Sequence, residues 1–291
     1  MQRIKLDVFR SLFDKNLTGK EIDFLIILSF YQDKRGVVQG MHYKKMMAEA
    51  GMSAQSFYDC KSSLMEKGVI QAVGVHNDYD ITFVGNDFTI YTEEDYKNGR
   101  VKYLSTNCRL FRDCNFRRLK PKQKLLVMAL YQIQSAGAPN GVQSYRIGRE
   151  KFFQKYTRLL GISRRTLQKY LKMLKLYFSI GLKEGIYYFT VRKNFTKRAE
   201  TSRTEKEVAM GQILETACRR NKVNNPDPKE RKEILQTLSY REKDLLKYFV
   251  DVSGIIRQMI AVINVAVMNP RKWNRRLKSS LFTRLFNESI A

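Results

Sequence analysis

A chain of 291 residues with 43% hydrophobic content can build two compact cores and an extension, which excludes a disordered polymer. Its 54 Lys and Arg against 28 Asp and Glu leave a net charge of +26, an excess that points to a polyanionic partner, nucleic acid first. Four cysteines without a C-x-x-C spacing and two distant histidines, His42 and His76, argue against a metal site, and the apolar run Met259 to Met268 is about half of the ~20 residues needed to cross a bilayer.

The chain opens on an arm, "IKLDVFRSLFDKN", followed by "LTGKEIDFLIILSFYQ". There Thr18 and Glu21 have the spacing of a capping box, so a helix is expected to start at that point. After the turn "DKRG", the run "YKKMMAEA" predicts a second helix, stopped by Gly51, and Ser53 is placed to cap a third helix from about Ala54 to Lys67. Beyond Gly68, "VIQAVGV" and "YDITFVG" read as two strands around the turn "HND".

The same order returns after Leu119. A second arm, "VKYLSTNCRLFRDCNFRRL", leads to helices over "KPKQKLLVMALYQIQ", "GREKFFQKYTRLLG" and "SRRTLQKYLKMLKL", and then to the hairpin strands "YFSIGL" and "IYYFTV". Aligning Gly51 with Gly161 places Met52 on Ile162, Ser53 on Ser163, Phe57 on Leu167 and Leu64 on Leu174, an internal repeat of one module. Each arm is expected to give one strand to its hairpin sheet. The fold class that follows is mainly α with small β-hairpin wings: a near-neutral first domain over 1–98, a basic second domain over 99–200, and a helical region over 201–291. Two tandem helix-turn-helix modules with wings, each on an arm, resemble the tandem winged-helix DNA-binding proteins, either the replication initiators of bacterial plasmids or winged-helix transcription regulators.

Charge separates the two copies. Residues 1–100 hold 13 basic and 14 acidic side chains, residues 101–200 hold 23 and 4, and the remainder hold 18 and 10. The middle third therefore carries the field, as an electrostatic footprint for nucleic acid would. Its third helix bears Arg164, Arg165, Lys169, Lys172 and Lys175 and no acid. At 100° per residue, Leu167, Leu171 and Leu174 share one face; Arg165, Lys169 and Lys172 lie opposite, flanked by Gln168. In a helix-turn-helix protein this helix enters the major groove, where Arg and Lys suit guanine and Gln suits adenine. Arg164, Arg165, Gln168, Lys169 and Lys172 are accordingly expected to read bases. Two flanking groups are expected to grip the backbone: Arg117, Arg118, Lys120, Lys122 and Lys124 before the domain's first helix, and Arg192, Lys193 and Lys197 after its wing. The matching face of the first copy, Gln55, Tyr58, Asp59 and Ser62, lacks this charge and is expected to make secondary DNA contacts or to meet a partner.

In the last third, "NPDPKE" marks a helix start, and helical patterns run from about Pro228 to Met268. The tail "RKWNRRLKSSLFTRLF" spaces Trp273, Leu277, Leu281 and Leu285 at four, with Arg271, Arg275 and Lys278 on another face. Docking onto the core, lying on DNA and lying on an anionic membrane surface are its three settings, docking being the expectation.

No catalytic constellation emerges. Asp78 and Asp80 fit a hairpin, Glu93 to Asp95 fits a solvated loop, and no phosphate-binding or nucleophile motif is found. The chain is therefore read as a non-enzymatic, sequence-specific binder of double-stranded DNA without a cofactor. Transcriptional regulation leads, and initiation of plasmid or mobile-element replication is the alternative. A cytoplasmic setting, homodimer contacts, and contacts with transcription or replication proteins through the first domain are expected. An RNA-binding role is disfavoured by the lack of an RNA-module motif.

Overall fold

The computed structural model describes residues 2–135, 144–196, 205–220, 224–245 and 277–288. It is mainly helical with small antiparallel sheets. The chain begins with strand β1 (Arg3–Lys5), helix α1 (Leu6–Ser11) and a 3-10 turn over Leu12–Asp14. Helices α2 (Gly19–Tyr31), α3 (Tyr43–Ala50) and α4 (Ala54–Glu66) then follow, with β2 (Val37–Met41) between the first two and β3 (Ile70–Val75) and β4 (Asp78–Phe83) after the third. A short helix α5 (Glu93–Lys97) precedes β5 (Tyr103–Ser105), a second 3-10 turn over Arg109–Arg112 and α6 (Cys114–Arg117). The order then recurs as α7 (Pro121–Ser135), β6 (Tyr145–Gly148), α8 (Arg149–Leu160), α9 (Arg164–Leu174), β7 (Phe178–Lys183) and β8 (Ile186–Val191). The chain continues through α10 (Lys193–Thr196), α11 (Glu205–Arg220), α12 (Pro228–Leu245) and α13 (Ser279–Glu288).

Local chemistry explains where the helices stop and start. Thr18 and Glu21 close the capping box at α2: the Thr18 hydroxyl accepts from the Glu21 N–H, and the Glu21 carboxylate accepts from the Thr18 N–H. Ser53 and Ser163 each accept from the N–H three residues on, and so cap α4 and α9. Gly51 and Gly161, which end α3 and α8, both sit in the left-handed region, where a side chain would be strained. The hairpins turn over His76-Asn77 and Glu184-Gly185. Asp78, expected in the first turn, instead opens β4.

The two three-stranded sheets have matching orders, β2-β4-β3 and β6-β8-β7. Their third strands come from between the first and second helices, which corrects the expectation that the arms supply them. The arms pair with each other: β1 and β5 are antiparallel, with Ile4 opposite Leu104 and both fully buried. Side chains explain why β1 takes no strand on its other edge. Asn86 Oδ1 accepts from the Lys5 N–H at 2.7 Å, and the Arg3 carbonyl receives Asn86 Nδ2 at 3.1 Å and Gln32 Nε2 at 2.5 Å. The backbone groups that would recruit a wing strand are already satisfied.

Contacts divide the chain into two compact units. The first comprises Met1–Val37, His42–Ala72 and Ile81–Ser202, and so holds the helices of both repeats. At its centre, α2 is buried nearly all round (Ile22, Phe24, Leu25, Ile26, Ile27, Leu28 and Phe30), and α7 is likewise buried from Leu125 to Tyr131. Helices apolar on every side belong in the interior, and these two pack on each other. Their contact contains an ion pair. Lys124 Nζ lies 2.6 Å from both carboxylate oxygens of Asp23 and 2.9 Å from the Gly19 carbonyl.

The second unit comprises Val38–Met41, Val73–Asp80 and Arg203–Ala291. Its helices share a core of Ile213, Leu214, Cys218, Ile234, Leu235, Leu238, Leu277 and Phe282. The tail docks: α13 packs on α12, the Ser279 N–H is held by Glu230, and Ser279 Oγ donates to Glu233 at 2.6 Å. The helix expected from about Arg271 starts only at Ser279 among the described residues. Trp273, Arg271, Arg275 and the Met259–Met268 run lie outside them. No helix among the described residues is long and apolar enough to cross a membrane.

Candidate nucleic-acid interface

The turn Leu160-Gly161-Ile162-Ser163 joins α8 to α9 and fixes how α9 emerges. Gly161 turns the chain with φ +56°, the Ile162 N–H returns to the Thr157 carbonyl at 3.1 Å, and Ser163 caps the new helix. Helix α9 is strongly two-sided. Leu167, Tyr170 and Leu174 are buried, whereas Leu171 is only half-buried, so Tyr170 takes the core place expected of Leu171. Fully burying Leu167 and Leu174 stabilises this seat by about 1.5 to 3 kcal/mol each. Arg165, Gln168, Lys169 and Lys172 are all exposed, and they form the surface opposite that seat.

Arg164, grouped with the readers from sequence, is placed differently. Its guanidinium forks onto Glu150 of α8 at 2.6 and 2.7 Å and stacks over the Phe153 ring at 4.5 Å. The Glu150 hydrogen bond raises the Arg164 pKa above its ordinary value. The fork braces α9 against α8 while Arg164 stays exposed, so the same guanidinium that positions the helix remains on its solvent side.

The flanking cations also separate. Arg118, Lys120, Lys122 and Lys193 are exposed, and Arg117 is half-buried. Lys122 Nζ donates to the Gly161 carbonyl at 3.1 Å, so this lysine touches the turn that launches α9. Arg192 is exposed but holds the Lys175 carbonyl through Nε at 2.9 Å, tying the end of β8 to the end of α9. Lys197 lies outside the described residues. Lys124 is a correction to the gripping set: it is fully buried and its ammonium is spent on Asp23 and Gly19, so no phosphate can reach it. Burial lowers the Lys124 pKa and raises that of Asp23, and their mutual attraction opposes both shifts. Sequence spacing could not separate Lys124 from its neighbours Lys120 and Lys122, because its partner lies 101 residues away.

On α4 the matching face is exposed at Gln55, Tyr58, Asp59 and Ser62. Gln55 Nε2 donates to Asp59 at 2.7 Å, and Tyr58 lies 6.4 Å from the Tyr43 ring. This surface is polar and aromatic and carries one carboxylate where α9 presents Arg165, Lys169 and Lys172.

Asp78 and Asp80 are hairpin residues, as their sequence context predicts. In the second unit they hold Arg219 and Arg220 of α11, which the sequence did not single out. Adjacent arginines at a helix end facing a D-x-D pair were the only available signal. Among the described residues no group of three His, Cys, Asp or Glu is arranged to hold a metal ion. No protein-family model, curated protein or solved structure matches this chain.

Proposed function

We propose that this protein is a non-enzymatic, sequence-specific double-stranded DNA-binding protein built on two tandem winged-helix modules, acting in the cytoplasm as a transcriptional regulator. One observation carries the reading: Arg165, Gln168, Lys169 and Lys172 form one exposed face of α9, opposite the buried Leu167, Tyr170 and Leu174, on the helix after the left-handed turn. A groove-inserted helix needs such a face: cations for phosphate and guanine, an amide for adenine, and a rigid apolar seat behind them. Arg118, Lys120, Lys122 and Lys193 supply sequence-independent grip, and the first module's α4 face serves a partner or secondary contact.

Replication initiation is the second reading, favoured by the joining of both repeats within one unit through β1–β5 and the Lys124–Asp23 pair. Two modules fixed to each other suit repeated sites at set spacing.

The test is a binding-site selection on the full chain. Arg165→Ala or Gln168→Ala should cost about 1 to 3 kcal/mol on the preferred sequence and relax discrimination at particular base pairs. Lys193→Ala should weaken all sequences alike and flatten the slope of log K against log[salt] by about one unit. Unchanged sequence preference in both α9 variants would remove α9 as the reader.

A further inference from the structure

The second unit contains a seam unlike the rest of the protein. Helix α11 turns Met210, Ile213, Leu214, Ala217 and Cys218 into the buried interior. Gln212, Thr216, Arg219 and Arg220 recur at helical spacing on another face, and this face meets the first hairpin sheet through polar contacts. Gln212 Nε2 donates to the Gln39 and Gly40 carbonyls at 2.9 and 3.2 Å, Thr216 Oγ1 to Gln39 at 3.0 Å, and Arg219 Nη2 to Gly40 at 2.8 Å. Below them, Arg219 Nε and Nη2 engage Asp78 Oδ2, the former at 3.0 Å. Arg220 Nη2 lies 2.7 Å from both Asp78 Oδ1 and Asp80 Oδ1. Asp80 also accepts from the Gly40 N–H at 2.8 Å, so strand and helix share one carboxylate.

Releasing these polar contacts need not disturb the other face of α11, where Met210, Ile213, Leu214, Ala217 and Cys218 are buried. Its ionic half is open to exchange. Arg219 is 38% exposed and Asp80 31%, with Arg220 at 16% and Asp78 at 2% beneath them, so a competing anion approaches from solvent at Arg219 and reaches Arg220 as the seam opens. Guanidinium forks suit phosphate as well as carboxylate.

We propose that α11 is a detachable strap across the first hairpin sheet, with Arg219 and Arg220 exchanging the Asp78 and Asp80 carboxylates for DNA phosphates. The closed strap masks the outer carbonyls of β2 and withholds two cations from DNA; binding of DNA opens it. This regulation rests on the DNA reading above.

Amide hydrogen exchange on the full wild-type chain, with and without saturating duplex DNA, tests it. DNA should speed exchange at Val38–Met41 and in α11 about tenfold or more. A chain that binds DNA with exchange there unchanged or slowed overturns the strap and leaves the DNA reading intact; a chain that binds no duplex DNA overturns both. A second measurement needs no exchange data. Asp78→Asn with Asp80→Asn should steepen log K against log[salt] by up to about two units, since two cations gain phosphate partners. The same pair in an Arg219→Gln, Arg220→Gln background should show no steepening. If the steepening persists there, it reflects bulk charge, and the strap is refuted.

Discussion

Replacing Lys124 by Met keeps most of the side-chain volume and removes only the charge, which makes it a clean test of the joint between the two repeats. The Lys124 side chain is 1% exposed and that of its partner Asp23 12%, so solvent screens the pair little. The variant loses charge-assisted bonds to the Asp23 carboxylate and the Gly19 carbonyl, each worth about 1.5 to 3 kcal/mol, and leaves a buried carboxylate unpaired. Breaking one side of a buried pair typically costs about 3 to 5 kcal/mol, and that is the expected loss in urea unfolding at pH 7. The pH dependence has a definite sign. Burial already raises the Asp23 pKa, and removing Lys124 raises it further. A group whose folded pKa lies above its unfolded value disfavours folding as pH rises through that interval, so the deficit of the variant should shrink on acidification toward the ordinary Asp value of about 3.9. Adding Asp23→Leu should return stability to within about 1 kcal/mol of wild type or above it, because an apolar replacement of a buried pair is often neutral or better. A loss below about 1 kcal/mol for Lys124→Met at pH 7, with unchanged denaturant slope, would refute a dry ion pair between α2 and α7.

Two further outcomes follow from backbone and charge. Gly40 has φ +63°, and a Cβ there would run into the Thr216 side chain, whereas Gly51 with φ +66° has open space around it. Gly51→Ala should therefore cost only the left-handed penalty of about 1 to 2 kcal/mol, while Gly40→Ala adds overpacking of about 1 to 3 kcal/mol, a ranking that urea unfolding of the two variants checks. Burial opposes the charged form of Glu21, but hydrogen bonds from Lys67, Ser63 and the Thr18 N–H, with the Lys67 charge, outweigh it and lower the pKa. Glu21→Gln should be less stable than wild type by about 1.5 to 3 kcal/mol at pH 7. The gap should close as pH falls below the ordinary Glu value of about 4.3 and through the lowered folded one; a gap constant from pH 7 to 3 would sink the assignment.

Much of the architecture was legible because its signals are short-range. Thr18 with Glu21, Ser53, Ser163, Gly51 and Gly161 act within one helical turn, and each sits where its local chemistry placed it. The exposed face of α9 was legible for the same reason, since helical periodicity alone sets Arg165, Lys169 and Lys172 opposite Leu167 and Leu174. Pairings between distant residues were not. The partner of β1 is β5 rather than a hairpin strand, because Asn86 and Gln32 satisfy its other edge, and neither residue advertises that role. By spacing Lys124 is one more surface lysine, but Asp23 holds it in the interior, and the fork of Arg164 onto Glu150 is equally silent in the sequence. The hold of Arg219 and Arg220 on Asp78 spans 141 and 142 residues. A cation in a basic chain is uninformative without knowing which carboxylate folds beside it.

The pairing of β1 with β5 sets a timetable for synthesis. A ribosome adding about 5 to 20 residues per second needs roughly 5 to 20 seconds after Lys5 to make Tyr103, its opposite number in the register. Throughout that interval the nascent first repeat carries an N-terminal strand with no mate and, a little longer, an Asp23 with no counter-ion. The first hairpin waits longest: Asp78 and Asp80 are translated early, but the arginines that neutralise them are residues 219 and 220. The earliest-made third of the chain is thus among the last to be completed, and a ribosome stalled before Arg219 would display an acidic, uncovered strand edge to any chaperone nearby.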